Sequence, residues 1–241
     1  MSVPVATLHA TSDERAGGAS CGSVGRQPGG VTIDTHVTAH LAAEDTPRDA
    51  AHDLAHIRRV AHRAEEIARA EGADARTVTI CVAAAWLHDL VYLPKNHPDA
   101  AQCAERAAGL IPAFAARAGL ADHADEIATA VAEHSFSGGR APSTFASRVL
   151  QDADRLEAIG AIGIARCFAT GGSMGAALWH SETPFGDART LDDKAFSLDH
   201  FERKLLKLAP AMNTAHGRAL AQRRDATMRA FLDALRDELA P

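Results

Sequence analysis

A histidine–aspartate pair, His88-Asp89, lies inside an otherwise apolar run from Ile80 to Leu93. The run is apolar on every face of a helix, so it belongs in the interior. An ionised carboxylate left unpaired there is costly, and the common remedies are a buried ion pair or a metal cation. Further ligands are therefore sought along the chain. His52 and His56 stand four apart, on one side of a helix, and His56 borders the Val60/Ile67 stripe that faces inward. A later carboxylate is available in Val149-Leu150-Gln151-Asp152-Ala153-Asp154-Arg155-Leu156. Asp152 and Asp154 lie about 200° apart on a helix, so only one can face a given site. Asp154 shares its face with Leu150, Ala158 and Ala161, and Asp152 with Val149, Leu156 and Ile159, so periodicity does not choose. Imidazole nitrogen with carboxylate oxygen suits divalent Mn, Fe, Co, Ni, Zn and, with more waters, Mg.

The order His56 … His88-Asp89 … Asp154 resembles the H…HD…D signature of the HD superfamily of metal-dependent phosphohydrolases. The surrounding blocks, His52-Asp53-Leu54-Ala55-His56, Pro94-Lys95-Asn96, Glu133-His134-Ser135-Phe136-Ser137, Gln151-Asp152-Ala153-Asp154-Arg155-Leu156 and Lys204-Leu205-Leu206-Lys207-Leu208 with Met212-Asn213-Thr214, are similar to small single-domain bacterial HD hydrolases of the YedJ type. The likeness spans about residues 35–235. It implies an all-α HD-domain bundle with the metal site between helices. It also implies His56, His88, Asp89 and Asp154 as ligands of one divalent ion, and so selects Asp154 over Asp152. Two histidines in the set favour Mn²⁺, with Mg²⁺, Co²⁺, Ni²⁺, Fe²⁺ and Zn²⁺ as alternatives. Two His and two Asp leave positions open for water and substrate, as a catalytic site requires.

The expected reaction is hydrolysis of a phosphoester or phosphoanhydride of a small phosphorylated molecule, foremost a nucleotide pyrophosphohydrolysis, with a 5′-nucleotidase activity as the alternative. A cation must offset charge building on the phosphoryl oxygens; Lys95, seven residues after His88, is the first candidate and Arg59 another. Arg59 can instead pair with Asp53 or Glu66. His134 is placed to contact phosphate or to act as acid or base, or simply to cap its helix. Two rivals of other classes stand: a di-iron HD oxygenase, for which His52 and His134 are the spare ligands, and a non-catalytic nucleotide-binding protein.

The elements that must position these residues read as helices almost throughout from Asp34. Expected helices run over Asp49–Glu71, from Asp74 or Thr77 to Tyr92, over Ala100–Gly109 and again past Pro112 to Gly119, over Asp122–His134, from Ser143 or Thr144 towards Phe168, and over Asp199–Leu208 and His216–Leu239. On this reading His88 and Asp89 are helical neighbours that reach one ion through side chains of different length. Gly171-Gly172-Ser173-Met174-Gly175 reads as a lid or connector loop, since it lacks the G-K-[ST] ending of a P-loop. Residues 1–30 are Gly/Ser/Ala-rich and read as a disordered tail before an HD domain at 31–241. The G-x-S-x-G match at Gly18–Gly22 has no strand before it and is set aside.

Composition agrees with helices. Hydrophobic residues make up 46% of 241, much of it alanine, while aromatics are 5%; alanine-rich helices approach closely and a large sheet is disfavoured. A net charge of −6 argues against a nucleic-acid polymer as partner. The four cysteines form no C-x-x-C pair, so neither a disulfide framework nor a thiolate zinc site is expected. No signal peptide or membrane span is read, which makes a cytoplasmic protein the expectation; nothing opposes a homodimer.

Overall fold

The computed structural model describes residues 32–43, 48, 51–93, 97–135 and 139–240; the expected tail at 1–30 and Lys95 lie outside the described residues. Within them the fold is all-α, with one isolated backbone bridge between Ala177 and Phe196 and no strand. The helices are α1 (Ile33–Ala42), α2 (Leu54–Ala70), α3 (Ala75–Leu87), α4 (Cys103–Arg117), α5 (Ala124–Glu133), α6 (Phe145–Glu157), α7 (Gly160–Ser173), α8 (Asp199–Arg203) and α9 (Ala215–Leu239).

The central element is α3. From Ile80 to Leu87 every side chain is buried, as a helix apolar all round requires. It is surrounded by α2, α5 and α6, with α1 packed on its flank. Ala61, Ala64 and Ala68 of α2, Ala83–Ala85 of α3 and Ala153 of α6 are wholly buried; their small side chains let these helices lie close. A second layer packs α7 and α9 together beside α6, around the rings of Phe168, Phe201 and Phe231 with centroids 5.9–6.0 Å apart.

Several boundaries differ from the sequence expectation, each for a local reason. Helix α2 starts at Leu54, because the Asp53 carboxylate accepts the His56 backbone N–H at 2.8 Å and caps it; His52 is therefore outside the helix. Helix α3 is capped by Asp74 and ends at Leu87, not at Tyr92. His88 and Asp89 stand beyond it, in the turn that leaves the helix.

Helix α4 runs through Pro112 unbroken. The proline is on the exposed face, where water can take the carbonyl its missing N–H leaves free. The helix expected from Ser143 or Thr144 towards Phe168 is two, divided at Ala158–Gly160; Gly160 holds φ +74°, a conformation natural to glycine, with the Arg224 side chain 3.0 Å from where a Cβ would stand. Gly171 to Ser173 form the last turn of α7 rather than a loop. A Cβ at Gly171 would collide with Ser197 Oγ, so close approach, not mobility, explains this glycine. The segment expected as one helix over Asp199–Leu208 breaks at Lys204 into α8 and a 3₁₀ turn, Leu205–Lys207.

Candidate active site

Four elements deliver five ligand-type side chains to one point. His56 rides on the first turn of α2, fixed by the Asp53 cap. His88 follows α3 and turns its ring back so that Nδ1 donates to the Ala85 carbonyl at 2.8 Å. His134, at the end of α5, repeats the device on the Val131 carbonyl at 2.6 Å. A carbonyl only accepts, so in both rings Nδ1 carries a proton, and the neutral ring has its lone pair on Nε2. Asp89 comes from the turn after α3 and Asp154 from α6.

His56 Nε2 lies 3.5 Å from Asp154 Oδ1 and 3.7 Å from Asp89 Oδ2. His88 Nε2 lies 3.3 Å from Asp89 Oδ2 and 3.9 Å from Asp154 Oδ1. His134 Nε2 is 3.9 Å from Asp89 Oδ1. Two overlapping triads result, His56/His88/Asp154 and His88/Asp89/His134, each with ligand atoms within 4.8 Å of one another. The Nε2 atoms of His56 and His88 are buried with no hydrogen-bond partner. Buried polar atoms are normally satisfied, and a divalent cation is the partner this donor set fits: N and O ligands about 2.0–2.2 Å from one ion stand roughly 3–3.5 Å from each other.

The same crowding sets the protonation. Burial pulls the His88 imidazole down, but the adjacent Asp89 charge outweighs it and carries the pKa to about 9. Burial pushes Asp89 up, yet His88 holds it well below the carboxylate range. Asp154, likewise opposed by burial, is drawn to about 2 by His88, His56 and His134. His56 is lowered by burial, and His134 by burial and the charge of His88.

Behind the cluster, Glu157 of α6 is buried with its Oε2 3.8 Å from His56 Nδ1. Arg59 donates from Nε to the same oxygen at 2.6 Å, so the partner of Arg59 is neither Asp53 nor Glu66. Arg166 of α7 donates from Nη1 to His56 Nδ1 at 2.7 Å. An imidazole that lends Nε2 to a cation carries its proton on Nδ1; Arg166 could then no longer donate there, and the Glu157 carboxylate, 3.8 Å away, would be within a short move of accepting that proton. Sequence reasoning missed both residues. Glu157 was within reach, three residues and one turn after Asp154 on the same face. Arg166 was not, because the break at Gly160 resets the helical phase.

Asp152 is buried and does other work: it accepts the Asn213 and Thr214 backbone N–H groups at 2.8 and 2.7 Å, the Thr214 hydroxyl at 2.7 Å and the Asn213 amide at 2.9 Å. It thus fastens the start of α9 to α6. His52 packs on the rings of His56 and Tyr92, centroids 6.0 and 5.5 Å away, and belongs to neither triad. Asp154 and His52 border a cavity of about 980 Å³ that continues along α7 and residues 193–208. No helix among the described residues is long and apolar enough to cross a membrane.

Comparison with known proteins gives consistent matches. The HD domain family matches residues 53–159. Bacillus subtilis YpgQ is 31% identical over 198 residues, covering 80% of this chain and 87% of YpgQ. The crystal structure of YpgQ in complex with ADP superposes with a TM-score of 0.64 at 30% identity, over 86% of this chain and 97% of that one. A Lactobacillus plantarum protein superposes with a TM-score of 0.64 at 30% identity, over 86% and 94%. An HD-superfamily hydrolase from Bacillus thuringiensis does so with a TM-score of 0.60 at 29% identity, over 86% and 94%.

Proposed function

The chain belongs to the HD superfamily of metal-dependent phosphohydrolases, and on that premise we propose that its substrate is a nucleotide, cut at a phosphoanhydride with release of pyrophosphate. The observation that carries this reading is the cluster of orphaned imidazole Nε2 atoms and depressed carboxylates at the edge of a roomy, cation-walled cavity. The nucleotide part is supported by YpgQ, a relative whose crystal structure holds ADP.

In this proposal His56, His88, Asp89 and Asp154 hold one divalent ion, manganese foremost, since two imidazoles suit a transition ion better than Mg²⁺. Such an ion lowers the pKa of water and polarises a phosphoryl oxygen. The protein's own groups do the rest. The Ala85 carbonyl holds a proton on His88 Nδ1, and Glu157 would accept the Nδ1 proton of a metal-bound His56. His134, kept neutral by burial and by the charge of His88, has a free Nε2 lone pair and is the proposed proton acceptor. Lys95 remains the proposed phosphate contact from the loop after α3. Arg59 is committed to Glu157, which gives it a supporting part behind His56 in place of the substrate contact expected for it.

One panel tests this: nucleoside mono-, di- and triphosphates incubated with Mn, Mg, Co, Ni or Fe, with phosphate and pyrophosphate assayed separately. Pyrophosphate release from triphosphates is expected. Phosphate release from monophosphates alone would replace it with the 5′-nucleotidase reading, and Asp89→Ala or His56→Ala retaining metal and full activity would overturn the site. One observation favours a second reading: His134 completes the triad with His88 and Asp89, as a two-ion site would require. Iron stoichiometry and oxygen consumption of the purified protein distinguish the oxygenase version of that arrangement.

A further inference from the structure

Helix α7 keeps different company on its different sides. Phe168 turns towards α9, where its ring meets that of Phe231 with centroids 6.0 Å apart. Gly163, Arg166, Cys167, Thr170 and Met174 follow the i, i+3, i+4, i+7, i+11 spacing of a single helix face, and all five line the cavity that Asp154 borders. The row has a direction. Arg166 stands at the end beside the His/Asp cluster, 2.7 Å from His56 Nδ1. Met174 lies eight residues further on, about 12 Å along the helix axis. A phosphoryl group at the cluster would therefore have a wall leading away from it that a lone phosphate does not touch.

Two features of this wall point to a ligand. Met174 is 41% exposed, one of three exposed large apolar side chains among the described residues, and it lines the cavity. Its thioether is an adaptable apolar surface that packs well against aromatic rings. Thr170, half-buried one turn before it, supplies the second feature. The helical threonines Thr79, Thr129 and Thr227 return their hydroxyls to the carbonyl four residues back, at 2.8, 2.8 and 3.3 Å. Thr170 Oγ1 makes no such bond and has no hydrogen-bond partner among the described residues. From the cluster outward the wall thus offers a hydroxyl and then an apolar sulfur-bearing side chain. A sugar carrying a base presents its groups in that order, polar first and flat and aromatic last. An alkyl chain would leave the hydroxyl unanswered. The cavity, at about 980 Å³, is at the top of the roughly 300–1,000 Å³ typical of small-molecule sites and has room for more than a phosphate.

We infer that α7 is the nucleoside-binding wall of the site: with a phosphoryl group at the His/Asp cluster, the Thr170 hydroxyl bonds the sugar and the Met174 side chain covers the base. The inference rests on the phosphohydrolase reading of the cluster and names residues beyond 53–159, the stretch that matches the HD domain.

Calorimetric titration of the Mn-loaded full chain tests it with three ligands, the phosphonate analogue of AMP, methylphosphonate and hexylphosphonate, whose C–P bonds resist hydrolysis. The AMP analogue should bind at least about tenfold more tightly than methylphosphonate, from a hydrogen bond and a sulfur–ring contact together. Met174→Ala and Thr170→Val should each weaken the AMP analogue about two- to tenfold and leave methylphosphonate unchanged. Thr170→Ser keeps the hydroxyl and should bind like the wild type. An AMP analogue bound no more tightly than methylphosphonate overturns the inference, as do affinities unchanged in both variants or an equal loss for methylphosphonate. Hexylphosphonate bound more tightly than the AMP analogue also overturns it and gives the wall to an alkyl phosphate. Phosphate and pyrophosphate release from ATP is measured on the same protein. If nothing is released while the variants behave as expected, the nucleoside wall stands and the hydrolase reading falls. Release from ATP with an AMP-analogue affinity that ignores every variant has the opposite meaning.

Discussion

At the scale of single residues, the site is governed by where protons sit. His88 is held up to about 9 by Asp89 against the pull of burial, so around neutral pH its Nε2 is protonated until a cation displaces that proton. Metal binding and proton release are then linked. Apparent Mn²⁺ affinity should fall as pH drops below about 9, by up to about tenfold per unit for one displaced proton. Titrations in buffers of different ionisation enthalpy count the protons; an affinity flat between pH 6 and 8.5 would refute the linkage. Glu157 gives a second residue-scale prediction. It is the proposed acceptor for the Nδ1 proton of a metal-bound His56, and removing such a partner typically costs about 10–100-fold in metal affinity or activity. Glu157→Gln should lose about that much Mn²⁺ affinity while keeping its helical circular dichroism; unchanged affinity would leave Glu157 a mere counter-ion for Arg59 and Arg224. His56, His88 and Asp89 could be singled out from their apolar surroundings, whereas Asp154 was preferred to Asp152 only through the resemblance to HD hydrolases. Glu157 and Arg166 were not singled out, since their role depends on a ring nitrogen that only the folded chain presents.

At the scale of elements, α6 carries two aspartates with opposite duties on opposite faces. Asp154 turns to the histidines, while Asp152 accepts four hydrogen bonds from Asn213 and Thr214 and so starts α9. Periodicity separated these faces correctly but could not tell which one held the site, because each also carries buried apolar neighbours. The two substitutions should therefore separate cleanly. Asp152→Ala should destabilise the protein by about 2–4 kcal/mol, the range for leaving buried hydrogen-bonding groups unpaired, with metal affinity nearly intact. Asp154→Ala should abolish tight Mn²⁺ binding and cost the metal-free protein only the attraction of its carboxylate to the three histidines, with the Asp152 anchor of α9 intact. Denaturant melts and metal titrations of both proteins read this out, and equal effects on metal would mean that the loop before α9 also shapes the cluster. Helix existence was plain in the sequence, whereas helix ends were not. The ends depended on Asp53 capturing one N–H, on Pro112 happening to face water, and on Gly160 adopting positive φ.

At the scale of the whole molecule, the cluster joins α2, α3, α5 and α6 at their ends, so a cation held there ties the central layer together. The metal-free protein meets the same charges differently, through the His88–Asp89 pair. The raised pKa of His88 means that its contribution to stability is complete below the ordinary imidazole value of about 6.5 and is lost as pH rises through about 9. The depressed Asp89 and Asp154 contribute above the ordinary carboxylate value of about 4 and lose their contribution only as pH falls through their lowered values. Between these limits the metal-free cluster is weakest at the alkaline end, where the imidazolium is disappearing and the carboxylates remain charged. A bound cation replaces that lost positive charge. Mn²⁺ at about 100 times its Kd should add about 2.7 kcal/mol, equivalent to a rise in Tm of roughly 5–10 °C for a chain of this size. The rise should be larger at pH 8.5 than at pH 6.5 at equal Mn²⁺, be reversed by a chelator and be absent in Asp154→Ala. A shift of the same size in Asp154→Ala, or one that shrinks towards alkaline pH, would place the stabilising ion somewhere other than between these four helices.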